Sequence, residues 1–122
     1  MLAPGIVFEA PDQGAGSGYN GQRAIDFEHL QRQTMGDASL EAEVLQLFAR
    51  QARCCMHEMA EGDVASIAAS AHKLKGAASA VGAFPVSSAA ERLENAPGDE
   101  GLMASLDAAV TTTENFIMGL CR

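Results

Sequence analysis

Tryptophan is absent from the 122 residues, tyrosine occurs once, and aromatic side chains make up only 5% of the chain. A core of stacked rings is thereby excluded. Alanine, leucine, methionine and valine must supply the apolar mass, a composition that leans towards helix. β-Branched residues never alternate for more than a few positions, so strands have almost no support. No apolar run approaches the roughly 18–20 residues of a membrane span. The opening stretch MLAPGIVFEAPDQGAGSGYNG lacks the basic start and long apolar segment of a signal peptide. The expected location is the cytoplasm, with no membrane partner.

Cysteine is scarce and badly placed for disulfides: Cys54 and Cys55 are adjacent and Cys121 is next to last. This odd count has no framework spacing, which agrees with a reducing compartment. Cys54 and His57 would share a helix face, but no fourth ligand and no CxxC pair accompany them. They read as ordinary helix residues, and no metal site is expected. His29 and His57 read as surface or partly buried histidines, and the methionines as fillers of core gaps.

Positive charge is also in short supply. The formal net charge is −8, which argues against a nucleic-acid partner. Six of the eight basic residues are scattered arginines, whereas the only lysines, Lys73 and Lys75, both lie just after His72. An isolated positive patch on an acidic chain points to an anionic ligand or an acidic partner surface.

Residues 1–24 carry Gly14, Gly16, Gly18 and Gly21 with Pro4 and Pro11, and read as a flexible arm bearing the apolar Ile6-Val7-Phe8. Residues 25–122 read as one domain with a helical pattern throughout. Asp26 caps a short first helix to about Thr34, with Phe27, Leu30 and Thr34 on one face. A second helix runs from Ser39 or Leu40 to Ala60, with Leu40, Val44, Leu47, Phe48, Cys55 and Met59 at helical spacing. Gly62 ends it and Asp63 caps a third, over about 64–82. Pro85 suits the first turn of a fourth, to about Ala96. The last, over about 100–120, should bury Leu102, Leu106, Val110, Phe116, Ile117 and Leu120. Four longer amphipathic helices on short turns predict an all-α, antiparallel up-and-down four-helix bundle, with the short N-terminal helix across one end.

The third helix holds the stretch AHKLKGAASAVGA, Ala71 to Ala83. On a helical wheel Val64, Ile67, Ala71, Leu74 and Ala78 form the core-facing stripe. His72 lies about 100° off Ala71, on an exposed flank. Its lane holds Ala65, Ala68, Ala69, Gly76, Ser79 and Ala83, all small, and Lys75. A mid-helix glycine costs about 0.5–1 kcal/mol against alanine, so Gly76 needs a reason other than packing. It removes the side chain that would crowd the imidazole one turn away. A flat, bare strip suits another protein's surface better than a small molecule, which favours a concave pocket. Both lysines can lean towards an anion on the ring, and a phosphoryl group carries nearly two negative charges. Imidazole, with an ordinary pKa near 6.5, is a suitable nucleophile for reversible phosphorylation. No Walker loop, kinase signature or nucleophile–base–orienter set accompanies it. The pattern is an acceptor without an ATP site: a carrier, not an enzyme.

The stretch resembles the signature of histidine-containing phosphotransfer (HPt) domains, roughly His-x-Leu-Lys-Gly followed by small residues and a glycine. It matches at His72, Leu74, Lys75, Gly76 and Gly82. IDFEHL before a Gly-Asp break, the helix carrying Phe48, and AAERLENA after the motif extend the resemblance over about residues 26–120. The resemblance implies a phosphorelay intermediate of two-component signalling. His72 would accept a phosphoryl group, on Nε2, from a receiver-domain aspartate and pass it to another. Lys75, with Lys73, would offset its charge, and Gly76 would leave room for the receiver. Glu94 on the following helix would hydrogen-bond the other ring nitrogen. Lys73, Gly76, Ser79, Ala68 and Ala69 would form the partner-binding strip, with Lys73 equally readable as a solvated flank residue and Ser79 as a plain helix residue. The implied partners are receiver domains of a hybrid histidine kinase or of response regulators. Mg²⁺ would belong to the receiver, so this chain needs no cofactor or metal of its own, and it is expected to be a monomer. The competing reading is a helical interaction module that docks a receiver or kinase through the same face without accepting phosphate.

Overall fold

The computed structural model describes residues 23–120. Most of the arm expected over residues 1–24, and Cys121, lie outside the described residues. Five helices follow in order: α1 (Phe27–Thr34), α2 (Ala38–Glu61), α3 (Val64–Val81), α4 (Phe84–Asn95) and α5 (Glu100–Leu120). α2 packs on α3, α3 on α4, α4 on α5, and α5 closes the ring back on α2, while α1 lies against α2 and α3. This is the expected antiparallel bundle with a short helix across one end.

The helix starts follow from aspartates. Asp26, Asp37, Asp63 and Asp99 each accept a backbone N–H from three residues on, at His29, Leu40, Ser66 and Leu102. α4 instead opens on Phe84-Pro85 behind an N-cap, Ala83, whose side chain can make no hydrogen bond. Gly82 ends α3 in the left-handed region, with φ of 83°. There α3 meets the start of α1, because Asp26 N–H donates to the Gly82 carbonyl at 2.8 Å.

The core is made of Leu30, Leu45, Phe48, Cys55, Met59, Leu74, Leu93, Leu106, Val110 and Ile117, together with buried alanines on α2, α3 and α4. Across α2 and α5, Arg53 donates to both Glu114 oxygens (3.1 and 2.6 Å) and to Asp107 (3.2 Å). These hydrogen bonds hold the guanidinium above its ordinary pKa, Glu114 contributing most. Burial likewise pushes the Cys55 thiol up, so it is a core group rather than a reactive one.

Several apolar positions expected in the core are outside it. Leu40, Leu47, Val64, Phe116 and Leu120 are exposed, Leu47 at 58% and Val64 at 57%. Val44, Ile67 and Leu102 are only half-buried. Most of these residues lie near helix ends, where the wheel angle is right but no neighbour extends far enough to cover the side chain. Leu47 is rotated away from the buried face of α2. Met35 and Met118 are exposed, so among the described residues only Met56, Met59 and the half-buried Met103 fill core space. Ala83 is fully buried at the α3–α4 corner, beyond the helix end, and so leaves the His72 lane.

A Cβ at position 82 would lie 2.8 Å from the Asp26 carbonyl oxygen on a positive-φ backbone. Gly82→Ala should therefore lower unfolding free energy by about 1–3 kcal/mol, measured as a shift in denaturant midpoint at unchanged slope.

Candidate functional site

α3 buries one face and bares the other. Ala71, Leu74 and Ala78 are fully enclosed, whereas His72 has a side chain 69% exposed. One turn before it Ala69 is exposed and Ala68 half-buried; one turn after it Gly76 is exposed. A Cβ added at Gly76 would meet no heavy atom within 4 Å, so nothing inside the bundle requires glycine there. The bare strip next to the imidazole is a property of the outer surface.

α4 supplies the ring's partner. Glu94 Oε2 lies 2.8 Å from His72 Nδ1, and Glu94 Oε1 lies 3.8 Å from Lys75 Nζ. An ionised carboxylate only accepts, so in this pair Nδ1 carries the hydrogen and the neutral ring keeps its lone pair on Nε2. Glu94 is more enclosed, its side chain 27% exposed, which holds the acceptor steady while the ring faces solvent. The three charged or chargeable groups thus form one chain, His72–Glu94–Lys75, across the α3–α4 seam.

Lys73 is placed differently from Lys75. Its ammonium sits 3.6 Å from Glu58 on α2, and Glu58 also accepts from Ser70 Oγ at 3.3 Å. One lysine therefore leans towards α4 and the histidine, and the other towards α2 and away from it. Glu58 was not foreseen; the i to i+3 spacing of Ser70 and Lys73 marks a shared face but does not say which helix supplies the acid. Ser79 is half-buried, with its hydroxyl 2.7 Å from that of Ser87 on α4. It ties the helices together and offers little to an incoming surface.

The other histidines have different settings. His57 is exposed on α2, and His29 is half-buried with its ring edge against Phe84. Among the described residues no group of three or more His, Cys, Asp or Glu side chains could hold a metal ion, and no helix is long and apolar enough to cross a membrane.

The arrangement can present an exposed, tautomerically fixed nucleophilic nitrogen beside one ammonium group, on a surface cleared for a large partner. A family model described as Hpt domain matches residues 43–116, from within α2 to within α5. No curated protein and no solved structure gives a significant match.

Free imidazole favours hydrogen on Nε2, so the Glu94 contact leaves a spectroscopic mark. Long-range nitrogen–proton NMR should find Nδ1–H in the neutral His72 ring, and Glu94→Ala should return it to the Nε2–H form. Glu94→Gln, whose amide oxygen still accepts, should retain Nδ1–H.

Proposed function

The chain belongs to the Hpt domain family, and from that premise we propose that His72 takes a phosphoryl group from one receiver-domain aspartate and gives it to another. Membership makes the chain a phosphocarrier of two-component signalling that works with receiver domains. The relay through His72 and the roles of its neighbours are our reading. The observation that carries it is the exposed ring whose Nδ1 is engaged by Glu94, leaving Nε2 as the nucleophile.

In the accepting step the Nε2 lone pair attacks phosphorus of the receiver's aspartyl phosphate. The P–N bond forms as the P–O bond to the aspartate breaks, and the aspartate departs as a carboxylate. Nδ1 keeps its proton throughout, and Glu94 stabilises the positive charge that the ring acquires. Donation to the next receiver reverses the same bonds. Phosphoryl transfer of this kind needs mainly in-line positioning and charge neutralisation. Lys75, next to Glu94, is the ammonium that would turn to the phosphoryl oxygens. Mg²⁺ is assigned to the receiver.

Lys73, exposed and pointing towards α2, fits contact with the receiver's rim better than contact with phosphate. Gly76, Ala69 and Ala68 supply the clearance for the receiver to approach. Ser79 has a smaller part, since its hydroxyl is committed to Ser87.

Incubation with a phosphorylated receiver should give acid-labile, alkali-stable label on the wild-type protein. His72→Gln should abolish the label with helicity unchanged. Label persisting in that variant rejects His72 as acceptor, and no label from any cognate receiver supports an interaction module that is never phosphorylated. Gly76→Ala separates fold from function. It should raise stability by about 0.5–1 kcal/mol by thermal or denaturant unfolding. Transfer should slow by about tenfold to a hundredfold, because the added methyl displaces the docked receiver from its in-line geometry.

A further inference from the structure

The two ends of the bundle are not alike. At one, α1 covers the core, and Ile25 and Leu30 are fully enclosed. At the other, where the α2–α3 and α4–α5 turns meet, the core-facing stripe of α3 runs on to Val64 and nothing covers it. Two depressions lie there, of about 420 and 370 Å³. The first lies between α3 and the turn at Pro97-Gly98, the second between α2 and α5. They share Glu100 and Met103, so they adjoin at the start of α5 and are taken together as a groove. Val64, Ile67, Pro97, Met103 and Met56 give it an apolar floor.

Its rim is acidic. Asp63, Asp99 and Glu100 line it, and none of them takes part in an ion pair among the described residues. The arginine at the far end, Arg53, is committed to Glu114 and Asp107. We infer that this groove docks a basic segment of a partner protein, with an apolar side chain seated over Val64 and Met103 and lysine or arginine set against Asp63, Asp99 and Glu100. An exposed valine on the core stripe supplies the anchor site, and three carboxylates without ion-pair partners, two of which also cap α3 and α5, select the charge. The chain's first 22 residues contain no basic side chain, so charge complementarity favours a segment from outside them. Val64 precedes His72 by eight helical residues, about 12 Å along α3. The inference does not depend on phosphorylation of His72.

The test uses the whole chain, a short synthetic peptide of leucine and lysine, and its leucine–glutamate counterpart. Amide NMR titration with the lysine peptide should give saturable shifts centred on Gly62, Val64, Gly98 and Gly101, weakening as salt rises. The glutamate peptide should give none. Val64→Ser should weaken binding roughly tenfold, and Glu100→Gln should reduce its salt dependence; both positions are exposed, so the fold is retained. Shifts spread over every acidic surface, or absent from the groove, would overturn the inference. So would concentration-dependent shifts at the groove without peptide, which would make a second copy of the chain the occupant.

Discussion

The close approach of α3 to α4 is the constraint on which the site depends. Ala71 and Ala78 on α3, and Ala89 and Ala90 on α4, are buried. Two serine hydroxyls, among the shortest polar groups available, meet across the same seam at 2.7 Å. Small residues let the backbones approach, and that approach brings a carboxylate on α4 within hydrogen-bond distance of a ring on the outer flank of α3. Bulkier residues in the seam would push Glu94 out of reach and leave the imidazole free to rotate. The scarcity of aromatic residues is thus connected to the site, since the helices that hold it must pack without large rings between them.

Glu94 has two partners, and its position between them sets the electrostatics. In this structure the carboxylate balances Lys75 and fixes the hydrogen on Nδ1. In the proposed phosphorylated state it faces a ring that carries positive charge, and Lys75 faces a second, stronger anion. A surface ion pair at 3.8 Å with solvent access contributes about 0–1 kcal/mol, so it restrains Lys75 only weakly. The shorter contact to Nδ1 persists while the longer one to Lys75 is exchanged. Lys73 lies over the opposite side of α3, beside Glu58, and further from the ring's partner on α4.

The helices, the Asp26 and Asp63 caps and the exposed flank of α3 were legible because they are local: a cap lies three residues from the N–H it satisfies, and a wheel needs only one helix. Asp37 and Asp99, which cap α2 and α5, fell inside stretches read only as breaks. Glu94 was reached through the family resemblance and its position on the following helix, and the geometry gives it a partner at 2.8 Å. What could not be read was axial extent and the choice of neighbour. The wheel placed Val64 and Phe116 inward, but an angle does not say where the adjoining helix stops. Leu45 and Ala52, buried on α2, and Val86, Ala89, Ala90 and Leu93, buried on α4, were not singled out, because alanine-rich helices blur the edge of an apolar face. The partners of Ser79 and Lys73 depend on helix rotation across a seam, which has no signature in either strand of sequence alone.

Charge arithmetic at the site shows why such a chain must work with a partner. Neutral His72, Lys75 and Glu94 sum to zero; in the proposed phosphorylated state the group carries nearly two negative charges and the ring one positive charge, which leaves the site about one charge negative. The chain can set one ammonium against that dianion, in solvent of high dielectric where the attraction is about 1 kcal/mol at 4 Å. No helix N-terminus or backbone cradle lies on this mid-helix flank to add further donors. The remaining neutralisation, and the exclusion of water that would strengthen it, must come from the surface that docks there. On the proposed relay, a bare and weakly compensated flank holds a phosphoryl group chiefly by its covalent bond, and that leaves the group ready to depart once a partner completes the site.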